Sequence, residues 1–177
     1  MIPAAAISVA DLPSTLWRNG GGETRTVAAA SRGAEPAWRI SIATVANGAG
    51  FSSFPGYERA LIPLVPDRVT LHDAAGPITP DHDGIMRFDG SAEVTSQVRH
   101  AATQVVNVMT LPGHRAEFRW RTVTGEYMAA DARVRAVVVV GGMVAAGSAE
   151  VSVPAVLRSG GSVRCVDARL LEIHITS

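Results

Sequence analysis

The sequence predicts an all-β chain built from antiparallel sheets. Three observations carry that expectation. Apolar and polar residues alternate with a period of two, β-branched runs outweigh helical patterns, and turn dipeptides punctuate the chain at short intervals.

Taken in order, the first element is a weak helical turn near Ser8 to Leu12. Trp38, Ile40 and Ile42 then fall on one face of an extended segment, with Arg39, Ser41 and Ala43 on the other. An apolar strand follows at Ala60 to Val65. Val105 to Met109 and Val134 to Val140 are rich in β-branched residues, which suit a pleated surface better than a helix. Phe118, Trp120 and Thr122 alternate with Arg119 and Arg121. At the C-terminus Leu170, Glu172, His174 and Thr176 alternate with Leu171, Ile173 and Ile175, giving one mainly polar and one apolar face. Between these runs stand Asn19-Gly20-Gly21-Gly22, Asn47-Gly48, Pro55-Gly56, Asp83-Gly84, Asp89-Gly90, Pro112-Gly113, Gly141-Gly142 and Ser159-Gly160-Gly161. Such pairs tolerate the positive φ that tight hairpins require.

A chain of 177 residues can bury about 70% of its unfolded surface, so a core needs no metal or disulfide staple. No Pro-, Ser- or charge-rich linker divides it. A compositional seam separates an N-terminal lobe of residues 1 to about 115 from an Ala-, Val- and Gly-rich C-terminal lobe of about 116 to 177, the two packed as one unit. Sixteen basic residues balance sixteen acidic ones, so no global field favours nucleic acid or an acidic membrane surface. Every basic residue is arginine, which excludes lysine Schiff-base chemistry and a P-loop lysine. The single cysteine, Cys165, excludes an intrachain disulfide and a thiolate metal cluster. Met1 to Ala10 lacks the basic start of a signal peptide, and no run reaches the ~20 apolar residues of a membrane span. The chain is expected to be soluble and cytoplasmic.

The most unusual local sequence is Trp17-Arg18-Asn19-Gly20-Gly21-Gly22-Glu23-Thr24-Arg25-Thr26. Consecutive glycines let backbone N–H groups approach a ligand, and they serve equally well in a plain hairpin. Asn19 offers a donor and an acceptor, Thr24 a hydroxyl, and Arg18 or Arg25 a bidentate cation. Neither a dinucleotide fingerprint nor a phosphate loop is present. Arg39 and Ser41 share a strand face that is either solvated or lines a mouth where Arg39 grips a carboxylate. In Phe51-Ser52-Ser53-Phe54-Pro55-Gly56-Tyr57-Glu58-Arg59, Arg59 is placed to meet an anion or to form a surface pair with Glu58 or Asp67. Asn107 interrupts an apolar run, so its amide satisfies a backbone group at a bulge or reaches a ligand. The five histidines show no metal-ligand spacing. Asp81-His82-Asp83, in a Pro- and Gly-flanked turn, is a poor chelator, because ligands adjacent in sequence point to opposite sides of an extended chain.

In order and spacing, these segments resemble the HutD/Ves family. The match is Trp17-Arg18-Asn19-Gly20-Gly21-Gly22-x-Thr24, Trp38-Arg39-x-Ser41-Ile42-Ala43, Phe51-Ser52-x-Phe54-Pro55-Gly56-x-x-Arg59, Phe88-x-Gly90 and Asn107-Val108-Met109. The resemblance implies an RmlC-like cupin of two β-barrel lobes, a bicupin, in a bacterial cytoplasmic protein linked to histidine utilisation. It implies a small-molecule binder with an accessory or regulatory role, no metal and no cofactor, with urocanate and formylglutamate as ligands by analogy. Two positions depart from the family pattern. Thr26 stands where an acidic residue is usual, and Val105-Val106 where Asp-Phe is usual.

Trp17, Asn19, Gly21, Thr24, Arg39, Ser41, Phe51, Arg59 and Asn107 are therefore the expected ligand-binding residues, with Arg39 or Arg59 meeting the carboxylate of a small anionic metabolite. A metal-independent cupin enzyme acting on a small carboxylate is the alternative. His72, Tyr57 and Glu58 are its candidate bases, and no residue pair selects among them. A homodimer is expected because the apolar strand at Val134 to Val140 must be covered. Nucleic-acid binding is disfavoured by the charge balance and by the lack of a recognition helix.

Overall fold

The computed structural model describes residues 5–17, 20–32, 35–66, 68–99, 102–128, 133–157 and 161–177. In chain order its elements are β1 (Ala6–Ser8), a 3-10 turn (Val9–Asp11), β2 (Ser14–Leu16), β3 (Gly22–Arg32), β4 (Glu35–Ala46), β5 (Glu58–Pro63), β6 (Val69–Asp73), β7 (Gly76–Pro77), β8 (Met86–Asp89), β9 (Thr95–Val98), β10 (Ala102–Thr110), β11 (Arg115–Met128), β12 (Val134–Ala146), β13 (Ala149–Val151), β14 (Ala155–Leu157) and β15 (Ser162–Thr176). The expected strands and the short turn near Ser8 are all present. No helix among the described residues is long and apolar enough to cross a membrane.

The chain forms two compact units, Pro13–His114 and Met1–Leu12 with Arg115–Ser177. The first twelve residues group with the C-terminal segment. The reason is hydrogen bonding. β1 runs antiparallel to β14, with Ile7 opposite Val156, and the Val9 amide donates to the Pro154 carbonyl at 2.8 Å.

The 13–114 unit contains a sheet in the order β2-β3-β4-β10-β5-β8 and a smaller one in the order β7-β6-β9. Ala43, Val45, Leu61, Phe88 and Val105 from the first sheet pack with Val69, Leu71 and Val98 from the second. Strand alternation thus puts the odd-numbered side of β4 inside. Trp38, Ile40 and Ile42 are buried as well, on the opposite side. Directly opposed residues of an antiparallel sheet share a face, so register defines rows across the interior. Arg39, Met109, Arg59 and Phe88 form one row. Thr26, Ser41, Asn107, Leu61 and Met86 form the next.

The other unit is a sheet in the order β1-β14-β12-β15-β11, with β13 paired to β12. Its core includes Ala6, Val137, Val139, Val144, Leu157, Cys165, Ala168 and Leu170. Register shifts on both sides of β15 bend the sheet. Asp167 takes a φ of 47° at the bend, where its amide and carboxylate both bond the Thr124 hydroxyl. The apolar run at Val134 to Val140 lies mid-sheet between β14 and β15, so its backbone makes no demand for a partner's strand. The polar side of β15 also differs from expectation. Glu172 and His174 continue the inward side of Ala168 and Leu170 and are buried.

Candidate functional site

A cavity of about 230 Å³ opens inside the 13–114 unit. It is lined by Trp17, Thr24, Arg39, Phe51, Arg59 and Asn107, all expected from sequence, and by Thr15, Thr26, Ser52 and Phe54, which were not. Every lining residue lies within one unit, on β3, β4, β5, β10 and the segments beside them.

Arg59 is the second residue of β5, on its inward side, and is 3% exposed. Its Nε and Nη2 donate to Asn107 Oδ1 at 3.4 and 3.1 Å, and its Nη1 donates to the Ser52 carbonyl at 3.1 Å. The guanidinium carbon sits 5.2 Å from the Phe51 ring, 5.6 Å from Phe54 and 4.9 Å from Phe88. Burial first, and then the positive charge of Arg39, pull the Arg59 pKa down to about 10. The expected surface pair with Glu58 does not form, because Glu58 pairs instead with Arg87 at 3.1 Å. Asp67 lies outside the described residues.

Arg39 is less engaged. Its Nη2 donates to the Met109 sulfur at 3.1 Å, a weak acceptor. Its buried Nε has no hydrogen-bond partner among the described residues. Its guanidinium carbon lies 5.4 Å from the Phe54 ring. Among the described residues, no carboxylate lines the cavity.

The aromatic wall is held from outside. The Phe51 amide donates to the Val94 carbonyl at 2.9 Å, and the Phe54 amide to the Gly90 carbonyl at 2.7 Å. A Cβ at Gly90 would stand 2.3 Å from the Phe54 carbonyl oxygen, so only glycine lets that loop sit so close. Trp17 meets Phe51 edge-on at 5.4 Å, and its Nε1 donates to the Thr24 hydroxyl at 2.8 Å.

The remaining sequence candidates fall elsewhere. Asn19 and Arg18 lie outside the described residues. Gly21 does not line the cavity; its carbonyl accepts from the Ala46 amide at 3.0 Å. Ser41 does not line it either. Its hydroxyl is fully buried and donates to the Asn107 carbonyl at 3.3 Å, because an inward residue in mid-strand sits beneath its neighbours. Arg25 pairs with Glu23 at 3.1 Å. Of the glycine run, Gly20 supplies a turn at φ 70°, and Gly22 lets β3 approach Thr44 where a Cβ would be 2.3 Å from its carbonyl oxygen.

Thr26 was legible in one respect, since it stands two residues after Thr24 on the same strand. Phe54 and Ser52 come from an irregular segment with no periodic signal. Of the candidate enzyme bases, His72 contacts Gln97 at 3.2 Å, Tyr57 donates to the Pro36 carbonyl at 2.7 Å, and none lines the cavity. Asp81, His82 and Asp83 occupy a turn rather than an extended segment, and their ligand atoms lie within 4.8 Å of one another on the exposed surface. Asp81 spends one oxygen accepting from the Asp83 and Ile85 amides.

The 172–174 cluster is a second buried polar group. Glu172 Oε1 accepts from Arg121 Nε at 2.6 Å and from the Tyr127 hydroxyl at 2.9 Å, with His174 Nε2 at 3.5 Å from its other oxygen. Burial alone would raise the Glu172 pKa, but the donors and the charge of Arg121 outweigh it and hold the carboxyl below its usual value.

The sequence profile of the HutD family matches residues 9–175 of this chain. A 21.2 kDa protein of the hutC 3′ region of Pseudomonas putida is 32% identical over 115 residues, covering 62% of this chain and 60% of that protein. The alignment thus spans less than two thirds of that relative's length. The structure of HutD from Pseudomonas fluorescens SBW25 superposes with a TM-score of 0.70 at 23% identity, covering 97% of each chain. A cupin 2 conserved barrel domain protein from Leptotrichia buccalis superposes with a TM-score of 0.59 at 11% identity, covering 99% of this chain and 98% of that one. The all-β fold is therefore of the cupin type.

Proposed function

This chain belongs to the HutD family, and from that premise we propose that it is a cytoplasmic binding protein for a small carboxylate, with an accessory or regulatory role in histidine utilisation. One observation carries the proposal: two arginines share an aromatic-walled cavity that no described carboxylate lines. An ordinary structural arginine buried this deeply is paired with an acid. Among the described residues, Arg59 instead meets neutral acceptors and ring faces. Burial makes its charge costly to hold and lowers its pKa to about 10. An anion beside Arg39 and Arg59 offsets part of that cost. The volume suits a molecule below drug size, and flat aromatic walls beside a guanidinium suit urocanate, with formylglutamate as the second candidate.

Calorimetric titration of urocanate and of formylglutamate tests the proposal. The unaltered protein is expected to bind at least one of them, and Arg39→Ala to bind it about 30-fold more weakly, the weight of one charge-assisted hydrogen bond. Absence of heat with both compounds in the unaltered protein would remove the proposal.

A further inference from the structure

Resting on the carboxylate-binding role above, we infer that Arg59 fixes the Asn107 amide with its NH2 toward the ligand, so that the cavity's guanidinium and amide groups present donors and select an ionised carboxylate over the matching amide. The steps are chemical. Arginine can only donate. Two Arg59 nitrogens point at one Asn107 side-chain atom, at 3.4 and 3.1 Å, so that atom must be the oxygen. The Asn107 NH2 is then the part left for the cavity that this side chain lines. Arg59's third contact goes to the Ser52 carbonyl, and three phenyl rings hold its plane. Three of its five N–H donors are thus committed, two of them to Asn107, and toward that amide it acts as a positioning residue.

The same logic applies across the cavity. Trp17 Nε1 can only donate, and it donates to the Thr24 oxygen. The Thr24 hydroxyl hydrogen is thereby turned away from Trp17 and is free to donate. Arg39 brings a buried Nε without a partner among the described residues, and an Nη2 bound only to a thioether. Arg39, the Asn107 NH2 and the Thr24 hydroxyl therefore present donors, and Thr15, Thr26 and Ser52, which also line the cavity, carry hydroxyls able to donate or accept. Two carbonyl oxygens that would welcome an amide NH2 are already engaged. The Asn107 oxygen faces Arg59, and the Ser52 carbonyl is taken by the same guanidinium. An amide ligand would bring its NH2 against these guanidinium and amide donors, with hydroxyl oxygens as its acceptors.

Two measurements test the inference. The first compares each acid with its amide on the unaltered protein: urocanate with urocanamide, and formylglutamate with its diamide. The acid that binds is expected to do so at least about 100-fold more tightly than its amide, since both a charge-assisted bond and a donor set against donors are at stake. The second uses Asn107→Asp. The new carboxylate still accepts from Arg59, so the thermal midpoint is expected to hold or rise. Its second oxygen replaces the NH2 with an acceptor, so affinity for the acid is expected to fall about 100-fold or more. A purely structural Asn107 would not separate stability from binding in this way. Equal binding of acid and amide, or acid binding retained in Asn107→Asp, overturns the inference and leaves the binding role standing. Should Asn107→Asp fail to fold, the acid–amide comparison decides alone. No binding of either acid to the unaltered protein refutes the carboxylate role itself, and the acid-over-amide assignment with it.

Discussion

Replacing Glu172 with glutamine keeps the side-chain shape and removes only the charge, so it isolates what that charge contributes. In the native chain the Glu172 oxygens face Arg121 Nε at 2.6 Å, the Tyr127 hydroxyl at 2.9 Å and His174 Nε2 at 3.5 Å. A hydrogen bond to an ionised group contributes about 1.5–3 kcal/mol and a neutral one about 0.5–1.5. Each of the two close donors therefore loses about 1 kcal/mol on substitution. The Arg121 share is discounted because that side chain is 51% exposed and screened by water. The expected loss is about 1.5 kcal/mol at pH 7, or about 3–6 °C in thermal midpoint for a chain of this size.

The pH dependence gives the sharper test. The folded carboxyl lies below its usual value, so its contribution is fully present above the unfolded pKa of about 4.3 and is lost as pH falls through the folded value. The gap between native and Glu172→Gln midpoints should stay constant from pH 7 to 5 and narrow below that. Calorimetric scans across this range check both features. A gap that is absent at pH 7, or one that persists undiminished in acid, refutes the assignment of a stabilising ionised carboxylate.

The remaining predictions concern packing and reactivity. Gly22→Ala places a Cβ 2.3 Å from the Thr44 carbonyl oxygen and 3.4 Å from the Trp17 ring, and it should destabilise by about 1–3 kcal/mol through overpacking. Gly20→Ala meets nothing within 4 Å and carries only the penalty of φ 70°, about 1–2 kcal/mol. Thermal melts that rank Gly20→Ala as clearly the more damaging would contradict the close β3–β4 approach. Burial, with a smaller push from Glu126, raises the Cys165 pKa, so the thiol stays protonated at neutral pH. Iodoacetamide should modify the folded protein at least about tenfold more slowly than the urea-unfolded chain. Equal rates, followed by mass spectrometry, would show an accessible thiolate.

What the sequence determined by itself was the local geometry. A period of two is visible over a few residues, so the strands around Trp38, Val105 and Phe118 and the turns at Asn47-Gly48 and Pro112-Gly113 were legible without any fold. The chemical types of the site were legible too, because Arg39, Arg59 and Asn107 are out of place in apolar strands. Tertiary structure decided which side of each strand became the interior. That choice hangs on register between segments far apart in the chain, which set Arg39 beside Met109, Met109 beside Arg59 and Arg59 beside Phe88. A slip of one residue in any one of these strands would turn its member of the row outward. Register also buried Ser41 beneath its row, brought Thr26 to the cavity, and sent Glu172 and His174 inward from a strand side that reads as polar. Those outcomes depend on which strands pair and on long-range packing, and neither is encoded within any short window of residues.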